Sequence, residues 1–572
     1  MWTWLVQSLG AGLLLARASY AAVLVISRSR SHPVASASSA QQCTIQILER
    51  TFGNSYGDPE IVQYTPPTDC GAVGSWAGIS LNFTVTSNGT QYDRLGIFTF
   101  QNVEIWRTST PEPTTDGIIW TYLKDATRYL PLFSEPGTFI LELDNILATG
   151  LNGQYATTLT ATFYASSDEY PSAPRANTII PVTTLANNTG DDASVPPTFS
   201  LNVTVPQNAV AIYAELYASG NGNEEFWYYN VANDYLGDLP SGLTYGNGPF
   251  REVRMLVDGQ VAGVAFPYAV IFTGGISPTA WRPITSYGAL DLPTYFIDLT
   301  PFVPVLTDGQ PHNISIDVVS AETNHTINDN WYVSGNLQVV TDSSSGPTTG
   351  NITVYNVEPY AETSTTGTVG DNGDLTVTVT AKHSIQIQSE FTSGSGQHTS
   401  VIWTQDLEYS NTQYYLDNLL VNNVAQTATG SFLSTHNGVP ALSDDFSYPL
   451  YINMTYLDDN YDSWTADFDH SYNRVSSPSP FILGSTINER QVATSYFVVS
   501  SNGNYGNGTN NNTFNYVDSD GDTYWRNVGA ADNNVTYDSI GGSLSGSSPF
   551  MLPLSAPLSQ GVMAKPRLPG GK

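Results

Sequence analysis

Apolar and polar residues alternate along most of this chain with the two-residue period of a β-strand. In Ile79–Val85 every second residue is apolar, and the same pattern occurs in Thr138–Asp144 and Thr157–Tyr164. The last two segments are separated by Asn152-Gly153, a pair typical of hairpin turns. The pattern predicts short antiparallel strands, two of them joined as a hairpin.

A second set of strands follows a segment rich in proline and glycine, from Pro171 to Pro197, which is typical of a linker or a long connection between sheets. The predicted strands are Thr198–Val205, Ala209–Ala218, Arg251–Val257, Val261–Ala265, Tyr295–Leu299 and Asn313–Val319. Thr341–Gly350 then predicts a second boundary, and alternating segments from Asp374 to Tyr537 indicate a third β unit.

These segments predict an all-β protein of tandem jelly-roll or β-sandwich domains with a further β-rich C-terminal domain. The predicted divisions are a signal peptide or signal anchor with a flexible lead-in at 1–40, an N-terminal β-sandwich at 41–170, a linker at 171–197, a second β-sandwich carrying the main candidate site at 198–342, a C-terminal domain at 351–552 and a disordered tail at 553–572.

The amino-acid composition supports this architecture and limits the classes of binding partner. Charged residues make up 12% of the 572 residues, about half the usual share, which is too little to cover the wet faces of long helices. The net charge of −32 argues against nucleic acid or an anionic membrane surface as a partner. Many secreted proteins are acidic simply because a net charge keeps them soluble, so the acidity alone does not identify a function.

The N-terminus carries the features of an export signal. Leu9–Leu15 is a short apolar core, and Ala16-Arg17-Ala18 offers a small-residue cleavage site. We expect a cleaved signal peptide and a secreted, extracellular protein. The alternative is a signal anchor that includes Ala21–Ile26 and holds the protein in the membrane, although Arg17 would be costly in lipid.

Sequons and cysteines agree with export. Eleven Asn-X-Ser/Thr sequons are candidate glycosylation sites: Asn82, Asn88, Asn187, Asn202, Asn313, Asn324, Asn351, Asn453, Asn507, Asn511 and Asn534. Cys43 and Cys70 are the two cysteines, and in an exported protein they most simply form one disulfide. Two reduced, buried thiols are the alternative.

Paired carboxylates stand in the most informative stretch, Asn221–Ile284. Glu224 and Glu225 follow a Gly-Asn turn and precede Phe226-Trp227-Tyr228. If this segment enters a strand, Glu225 shares a face with Trp227, and an aromatic wall disfavours the charged carboxylate and makes Glu225 a candidate general acid. Two solvated loop glutamates are an equally compatible interpretation of these residues.

Other charged residues are candidates with strong structural alternatives. Asp258-Gly259 predicts the corner of a hairpin. Arg254 stands among apolar strand residues, where a lone cation needs a carboxylate or ligand partner. Glu112 is held between two prolines, close in sequence to Arg107, and the group Lys124, Asp125 and Arg128 follows; an ion-pair network between strands is the alternative role for these side chains.

Aromatic side chains are candidates for binding sugar rings. Trp120, Trp227, Trp281 and Trp331 qualify, but most tryptophans of a β-sandwich lie in its core, so we expect one or two to contact a ligand. The sequence has no metal-binding histidine spacing, no nucleophile elbow and no phosphate loop. Asp518–Asp522 matches a calcium loop only in part, and a hairpin turn is expected there.

Several separated blocks resemble the amidase A type of peptide-N4-(N-acetyl-β-glucosaminyl)asparagine amidase. The blocks are Glu104–Pro113, Gly117–Tyr129, Asn221–Tyr228, Gly248–Arg254, Asp258–Ala265, Thr273–Ile284 and Asn330–Leu337, with a looser likeness at Asp469–Arg474. The resemblance implies hydrolysis of the amide that links Asn to the first sugar of an N-glycan on peptides or glycoproteins. The products would be an aspartate-containing peptide and a glycosylamine, and no metal or organic cofactor is needed.

Amide hydrolysis requires an activated water, a polarised carbonyl and a protonated leaving amine. Within the matching blocks we assign this work to Glu225, with Asp258 or Glu112 as its partner. Substrate contacts are expected from Glu224, Trp227, Arg254, Trp120, Arg107 and Trp281. Two other classes stay open: a non-catalytic glycan-binding or cell-surface protein on the same scaffold, and a glycoside hydrolase, which also uses two carboxylates.

Overall fold

The computed structural model describes residues 22–23, 41–168, 170–186, 192–501 and 503–545. The rest of the expected export signal and its lead-in, the sequon Asn187 and the expected tail at 553–572 lie outside the described residues.

The first unit is a sandwich of two sheets. Its strands are β1 (Ala22–Val23), β2 (Gln42–Phe52), β3 (Glu60–Tyr64), β4 (Trp76–Asn88), β5 (Leu95–Phe100), β6 (Val103–Ser109), β7 (Ile118–Asp125), β8 (Gly137–Leu143) and β9 (Gln154–Ala165), with a short helix α1 (Leu130–Phe133). One sheet has the order β1-β7-β4-β9-β2 and the other β3-β8-β5-β6. The buried residues of the alternating strands meet between them: Phe83 on β4 packs edge-on against Phe98 and Trp106 of the facing sheet.

The predicted hairpin at Asn152-Gly153 is wrong. β8 pairs with β3 and β5 in one sheet, whereas β9 pairs with β4 and β2 in the other. The connection therefore crosses between the sheets. Asn152 and Gly153 instead bond the loop before β5, since both backbone N–H groups donate to the Thr90 carbonyl and the Thr90 N–H donates to Oδ1 of Asn152, each at 2.9 Å.

The second unit is also a sandwich. Its elements are β10 (Thr178–Val182), β11 (Ala193–Val195), β12 (Phe199–Val203), β13 (Ala209–Asn221), α2 (Asn233–Leu236), β14 (Glu252–Val257), β15 (Gln260–Ala265), β16 (Tyr295–Asp298), α3 (Val303–Leu306), β17 (His312–Val319) and β18 (Asn330–Thr341). One sheet has the order β10-β18-β13-β16, with β11 also on β18, and the other β12-β17-β14-β15. The expected linker at 171–197 thus contains β10 and β11, because their apolar residues extend this sheet.

The third unit is one large antiparallel sheet of eleven strands. These are β19 (Thr349–Val357), β20 (Glu362–Val369), β21 (Leu375–Thr392), β22 (His398–Leu416), β23 (Val421–His436), β24 (Val439–Tyr456), β25 (Ser463–Ser476), β26 (Ser485–Val498), β27 (Tyr505–Asp518), β28 (Thr523–Ala531) and β29 (Asn534–Gly541), with β20 paired to β21 beside the path β19-β21-β22 through β29. Its apolar face shares one core with the second sandwich, which explains the strict alternation of buried residues along β22. The all-β prediction is confirmed.

The two cysteines test one further sequence expectation. Cys43 on β2 and Cys70 form a disulfide, with Cα atoms 5.7 Å apart, so the predicted pairing is confirmed. Among the described residues, no helix has the length and apolar character needed to cross a membrane.

Candidate functional site

The segment that carries Glu224 and Glu225 does not enter a strand. It forms two short 3₁₀ helices, Gly222–Glu224 and Trp227–Tyr229. Gly222 has a φ of 59°, in the left-handed region that favours glycine, and starts the turn. All four residues from Phe226 to Tyr229 are buried, which a strand with one wet face does not allow. Strand alternation is therefore the wrong reason to place Glu225 on the face of Trp227.

Glu224 is a structural carboxylate. Its two oxygens accept hydrogen bonds from Nε and Nη2 of Arg251 at 2.5 and 2.7 Å, from Nε1 of Trp331 at 2.8 Å and from the backbone of Asn328 at 2.9 Å. Burial alone would raise its pKa, but the Arg251 charge and these hydrogen bonds hold the pKa of Glu224 below its usual value. Both oxygens of Glu224 already bind protein groups. The geometry therefore gives no support to the expected contact of Glu224 with a substrate.

Glu225 has different surroundings from Glu224. It is 6% exposed and lies close enough to Tyr228 that, after burial, its charge is what raises the pKa of that phenol. The neighbouring Phe226 ring packs on Gly275, where an added Cβ would stand 3.4 Å from Cε1 of the ring. The Glu225 segment thus rests on the loop that contains Gly274 and Gly275.

The same loop supports two more carboxylates. A Cβ placed on Gly274 would stand 2.5 Å from Oε1 of Glu112 and 2.8 Å from Oδ1 of Asp93, so both side chains converge on this backbone. A larger residue at Gly274 would have to displace one of these two carboxylates. Asp93 is half-buried and Glu112 is 2% exposed. Glu112 comes from the first sandwich and Gly274 from the second, so the carboxylates lie at the junction of the two units.

A buried cation completes this cluster. Nη2 of Arg282 donates to Oε2 of Glu112 at 3.0 Å, and Nε of Arg282 has no hydrogen-bond partner among the described residues. Burial lowers the pKa of Arg282, and the Glu112 charge counteracts this shift in part. Burial, and then the charges of Asp93 and Glu112, raise the pKa of the nearby Tyr155. Carboxyl groups can accept and donate protons during amide hydrolysis, and a buried guanidinium can stabilise the negative charge that develops on the carbonyl oxygen.

Asp93 was missing from the sequence candidates. It precedes β5, outside the blocks of the family resemblance, and no motif distinguishes it from a solvated loop residue. The available signal was the Asp93-Arg94 pair in a loop otherwise poor in charge. Its importance comes from proximity to Gly274, which lies far away in sequence.

Asp258 is not brought to this cluster. It forms the corner between β14 and β15 with a φ of 48°, as the hairpin prediction requires, and its oxygens bind Nδ1 of His312 at 2.7 Å and the Asn313 N–H at 2.8 Å. Arg251, which holds Glu224, precedes the other end of β14. At 3.3 Å per residue the two positions are roughly 23 Å apart. The expected partnership of Asp258 with Glu225 therefore has no support in the geometry.

The expected substrate-binding arginines have protein partners. Arg254 donates to both oxygens of Asp317, at 2.8 and 2.7 Å, so the carboxylate partner expected for this cation is present. Arg107 is fully buried, donates to both oxygens of Glu104 at 2.7 and 2.8 Å, and reaches the Tyr332 carbonyl of the second sandwich at 2.7 Å. Both arginines join elements of the fold.

The candidate aromatic platforms are core residues. Trp120, Trp227, Trp281 and Trp331 are each at most 4% exposed. Trp281 nevertheless adjoins Arg282, and its Nε1 donates to the Gly275 carbonyl at 3.0 Å. The expectation that one or two tryptophans touch a ligand stays a prediction.

The described sequons lie on accessible parts of the fold. The residues Asn82, Asn88, Asn202, Asn313, Asn324, Asn351, Asn453, Asn507, Asn511 and Asn534 are all exposed or half-buried. Asn202 and Asn313 face each other on β12 and β17. Glycosylation itself stays a prediction.

A separate cavity of about 150 Å³ lies where the three units meet, and its lining includes Lys124, Arg128 and Glu215 but none of the cluster around Glu112. Lys124 pairs with Asp291 at 2.7 Å, and Arg128 lies 3.4 Å from Glu215. These are the ion pairs between units that the structural alternative predicted for this group.

Comparison with known proteins agrees with the sequence blocks. The family model of peptide N-acetyl-β-D-glucosaminyl asparaginase amidase A matches residues 32–358, and that of the PNGase_A C-terminal domain matches residues 376–450. The peptide-N4-(N-acetyl-β-glucosaminyl)asparagine amidase A of Prunus dulcis is 30% identical over 522 residues, which are 87% of this chain and 90% of that protein.

A solved structure of PNGF-II aligns with a TM-score of 0.34 at 14% identity, covering 53% of this chain and 66% of that chain, and so weak a likeness carries no argument. The family matches and the almond relative are decisive. The resemblance found in the sequence is confirmed: the chain belongs to the peptide N-acetyl-β-D-glucosaminyl asparaginase amidase A family, a family of hydrolases that act on carbon–nitrogen bonds.

Proposed function

We propose that this protein hydrolyses the amide between Asn and the first N-acetylglucosamine of N-glycosylated peptides or glycoproteins, converting Asn to Asp and releasing the glycan as a glycosylamine. Family membership supports the reaction class. The observation that carries the proposal is the convergence of Asp93 and Glu112 on Gly274, with the Glu225 segment packed on the same loop.

The proposed chemistry uses these groups as follows. A water oxygen attacks the amide carbon, and a carboxylate, most simply the half-exposed Asp93, takes the water's proton. The carbon–nitrogen bond then breaks, and the protonated carboxyl of Glu225 gives its proton to the departing nitrogen, while Glu112 stays paired with Arg282. Arg282 holds a positive charge beside the developing negative charge, with Nε available as a donor.

We also propose that the protein works in the secretory pathway or outside the cell. The Cys43–Cys70 disulfide is typical of exported proteins. Ten sequons on exposed or half-buried positions agree with this location. Detection of the mature N-terminus in the culture medium of an expressing cell would test it, and retention of the intact N-terminus in a membrane fraction would favour the anchored form.

The reaction is tested by incubating the secreted protein with a defined glycopeptide at mildly acidic pH, followed by mass spectrometry of the peptide. Hydrolysis of the amide leaves a peptide about 1 Da heavier than the unmodified Asn peptide. Asp93→Asn and Glu225→Gln should lower the rate of product formation by about 100-fold or more, whereas Asp406→Asn, an exposed position on the large sheet, should not.

Each rival class has its own outcome in this assay. A peptide that retains one sugar would identify a glycoside hydrolase. An unchanged glycopeptide across substrates and pH, with binding still measurable, would identify a glycan-binding protein.

A further inference from the structure

The eleven-stranded sheet contacts the candidate site through amide side chains on its buried face. Asn510 on β27 and Gln491 on β26 are each 1% exposed and bond to each other, with Nε2 of Gln491 donating to Oδ1 of Asn510 at 3.0 Å. Polar side chains in such a place must be hydrogen-bonded, and here they bond to another unit of the chain.

The two amides bind the backbone on both sides of Arg282. Nδ2 of Asn510 donates to the carbonyl oxygens of Ala280 at 2.7 Å and Ile284 at 3.2 Å. Nε2 of Gln491 donates to the Thr285 carbonyl at 2.8 Å, and its Oε1 accepts from the Tyr287 N–H at 2.9 Å. This stretch has no strand pairing of its own, so these bonds take the place of a ladder.

A second pair of amides holds the loop after Glu225. Nδ2 of Asn411 on β22 donates to the Tyr228 carbonyl at 3.0 Å, and Nε2 of Gln413 donates to the Asn230 carbonyl at 2.9 Å. Both loops that meet at Gly274 and Gly275 are therefore bonded to the same sheet.

We infer that Asn510 and Gln491 are positioning residues that hold Arg282 against Glu112, so that the C-terminal sheet forms part of the catalytic apparatus. The inference rests on the proposed function. Among the residues that the structure describes, the Arg282 side chain makes one hydrogen bond, to Glu112 at 3.0 Å, so the direction of its guanidinium depends on where the backbone is held. A loop free to shift by 1 Å would lose that bond.

The test compares Asn510→Ala with Asn515→Ala, the same change on the outer face of the same strand. The two readouts are the pH profile of kcat/KM on the glycopeptide and hydrogen exchange of the segment 280–287. Asn510→Ala should lower kcat/KM at least tenfold and move the acidic limb upward by about one pH unit, because Asp93, the proposed base, meets Glu112 at Gly274 and holds its proton more tightly when the Arg282 charge moves away. Exchange of the segment should accelerate, while Asn515→Ala should behave as wild type.

Three results would overturn the inference. One is a folded Asn510→Ala protein with wild-type kcat/KM and exchange. Another is lower activity with an unmoved limb, which means that the amide only stabilises the fold. If Asn510→Ala does not fold, Gln491→Leu replaces it in the same assays. If wild-type protein releases no glycan, the proposed function fails, and unchanged exchange in Asn510→Ala is then the third result that would refute the positioning role.

Discussion

Arg251 donates to both carboxylate oxygens of Glu224, at 2.5 and 2.7 Å, and both side chains are completely buried. The adjacent Glu225 is 6% exposed and precedes Phe226, whose ring packs on Gly275. Under the proposed function the two neighbouring glutamates have different roles: Glu224 holds the fold together and Glu225 takes part in the chemistry.

The different roles of the two glutamates predict opposite effects of Glu224→Gln and Glu225→Gln. Glu224→Gln leaves the Arg251 charge buried without its counter-ion and should lower the free energy of unfolding by about 3 kcal/mol or more. Glu225→Gln should keep the melting temperature and lower kcat by about 100-fold or more. Thermal unfolding and glycopeptide turnover of both variants are the measurement. Equal melting temperatures for the two variants would contradict it.

Asp258→Asn should retain activity. Asp258 stands roughly 23 Å from the position of Arg251 at the other end of its strand, and it bonds His312 and Asn313. The loss should appear as a melting temperature lower by a few degrees, since one charge-assisted hydrogen bond is worth about 2 kcal/mol. A hundredfold fall in kcat with an unchanged melting temperature would contradict this prediction and indicate a catalytic role for Asp258.

The buried His470 should make the free energy of unfolding fall as the pH falls. Burial lowers its pKa to about 3, where it stacks on Tyr268 with ring centroids 4.5 Å apart. The unfolded chain protonates this ring below about pH 6.5 while the folded chain does not, so the unfolded state binds more protons and stability falls as pH falls. The contribution between pH 8 and pH 5 is about 2 kcal/mol.

The matched variant is His470→Phe, which keeps the stacked ring and cannot be protonated. Its free energy of unfolding should depend less on pH between 8 and 5 than that of wild type, as measured by denaturant titration at each pH. His398→Phe, at an exposed position, controls for the loss of a histidine from the surface. An identical pH dependence in wild type and His470→Phe would refute this role.

The disulfide should stabilise the first sandwich. It closes a loop with a sequence separation of 27 residues, for which chain-entropy arguments give about 3 kcal/mol. The double change Cys43→Ser and Cys70→Ser should lower the denaturant midpoint accordingly. Reduction of wild-type protein should reproduce that midpoint, and a double variant with the wild-type midpoint would show that the bridge adds no stability.

The strand alternation made the hairpin β14–β15 predictable in detail, because Asp258-Gly259 adopts the left-handed conformations that its residues favour. The same local logic misplaced Asn152-Gly153, whose partner is Thr90 in another part of the chain. Local patterns report the period of a strand and the chemistry of a turn. They do not report which sheet the next strand joins.

The candidate site shows the same limit more sharply. Glu112 and Glu225 could be singled out from their neighbours in sequence, but Asp93 and Arg282 could not. Asp93 is a candidate because it lies close to Gly274. Arg282 is a candidate because it pairs with Glu112 and because Asn510 binds the backbone beside it. In both cases the partners are distant along the chain. A buried tryptophan and a ligand-stacking tryptophan likewise look the same in the sequence.

The hydrogen bonds between Thr90 and Asn152-Gly153 limit how this site can be transferred to another protein. The loop that carries Asp93 is held by backbone groups from the connection before β9, distant in sequence, and a Cβ on Gly153 would stand 2.8 Å from Cβ of Gln91. The loop is therefore not a self-contained module. Transplanting 88–94 into a related scaffold would require residues 152–153 to travel with it, and recombination between relatives should succeed only where both segments come from one parent.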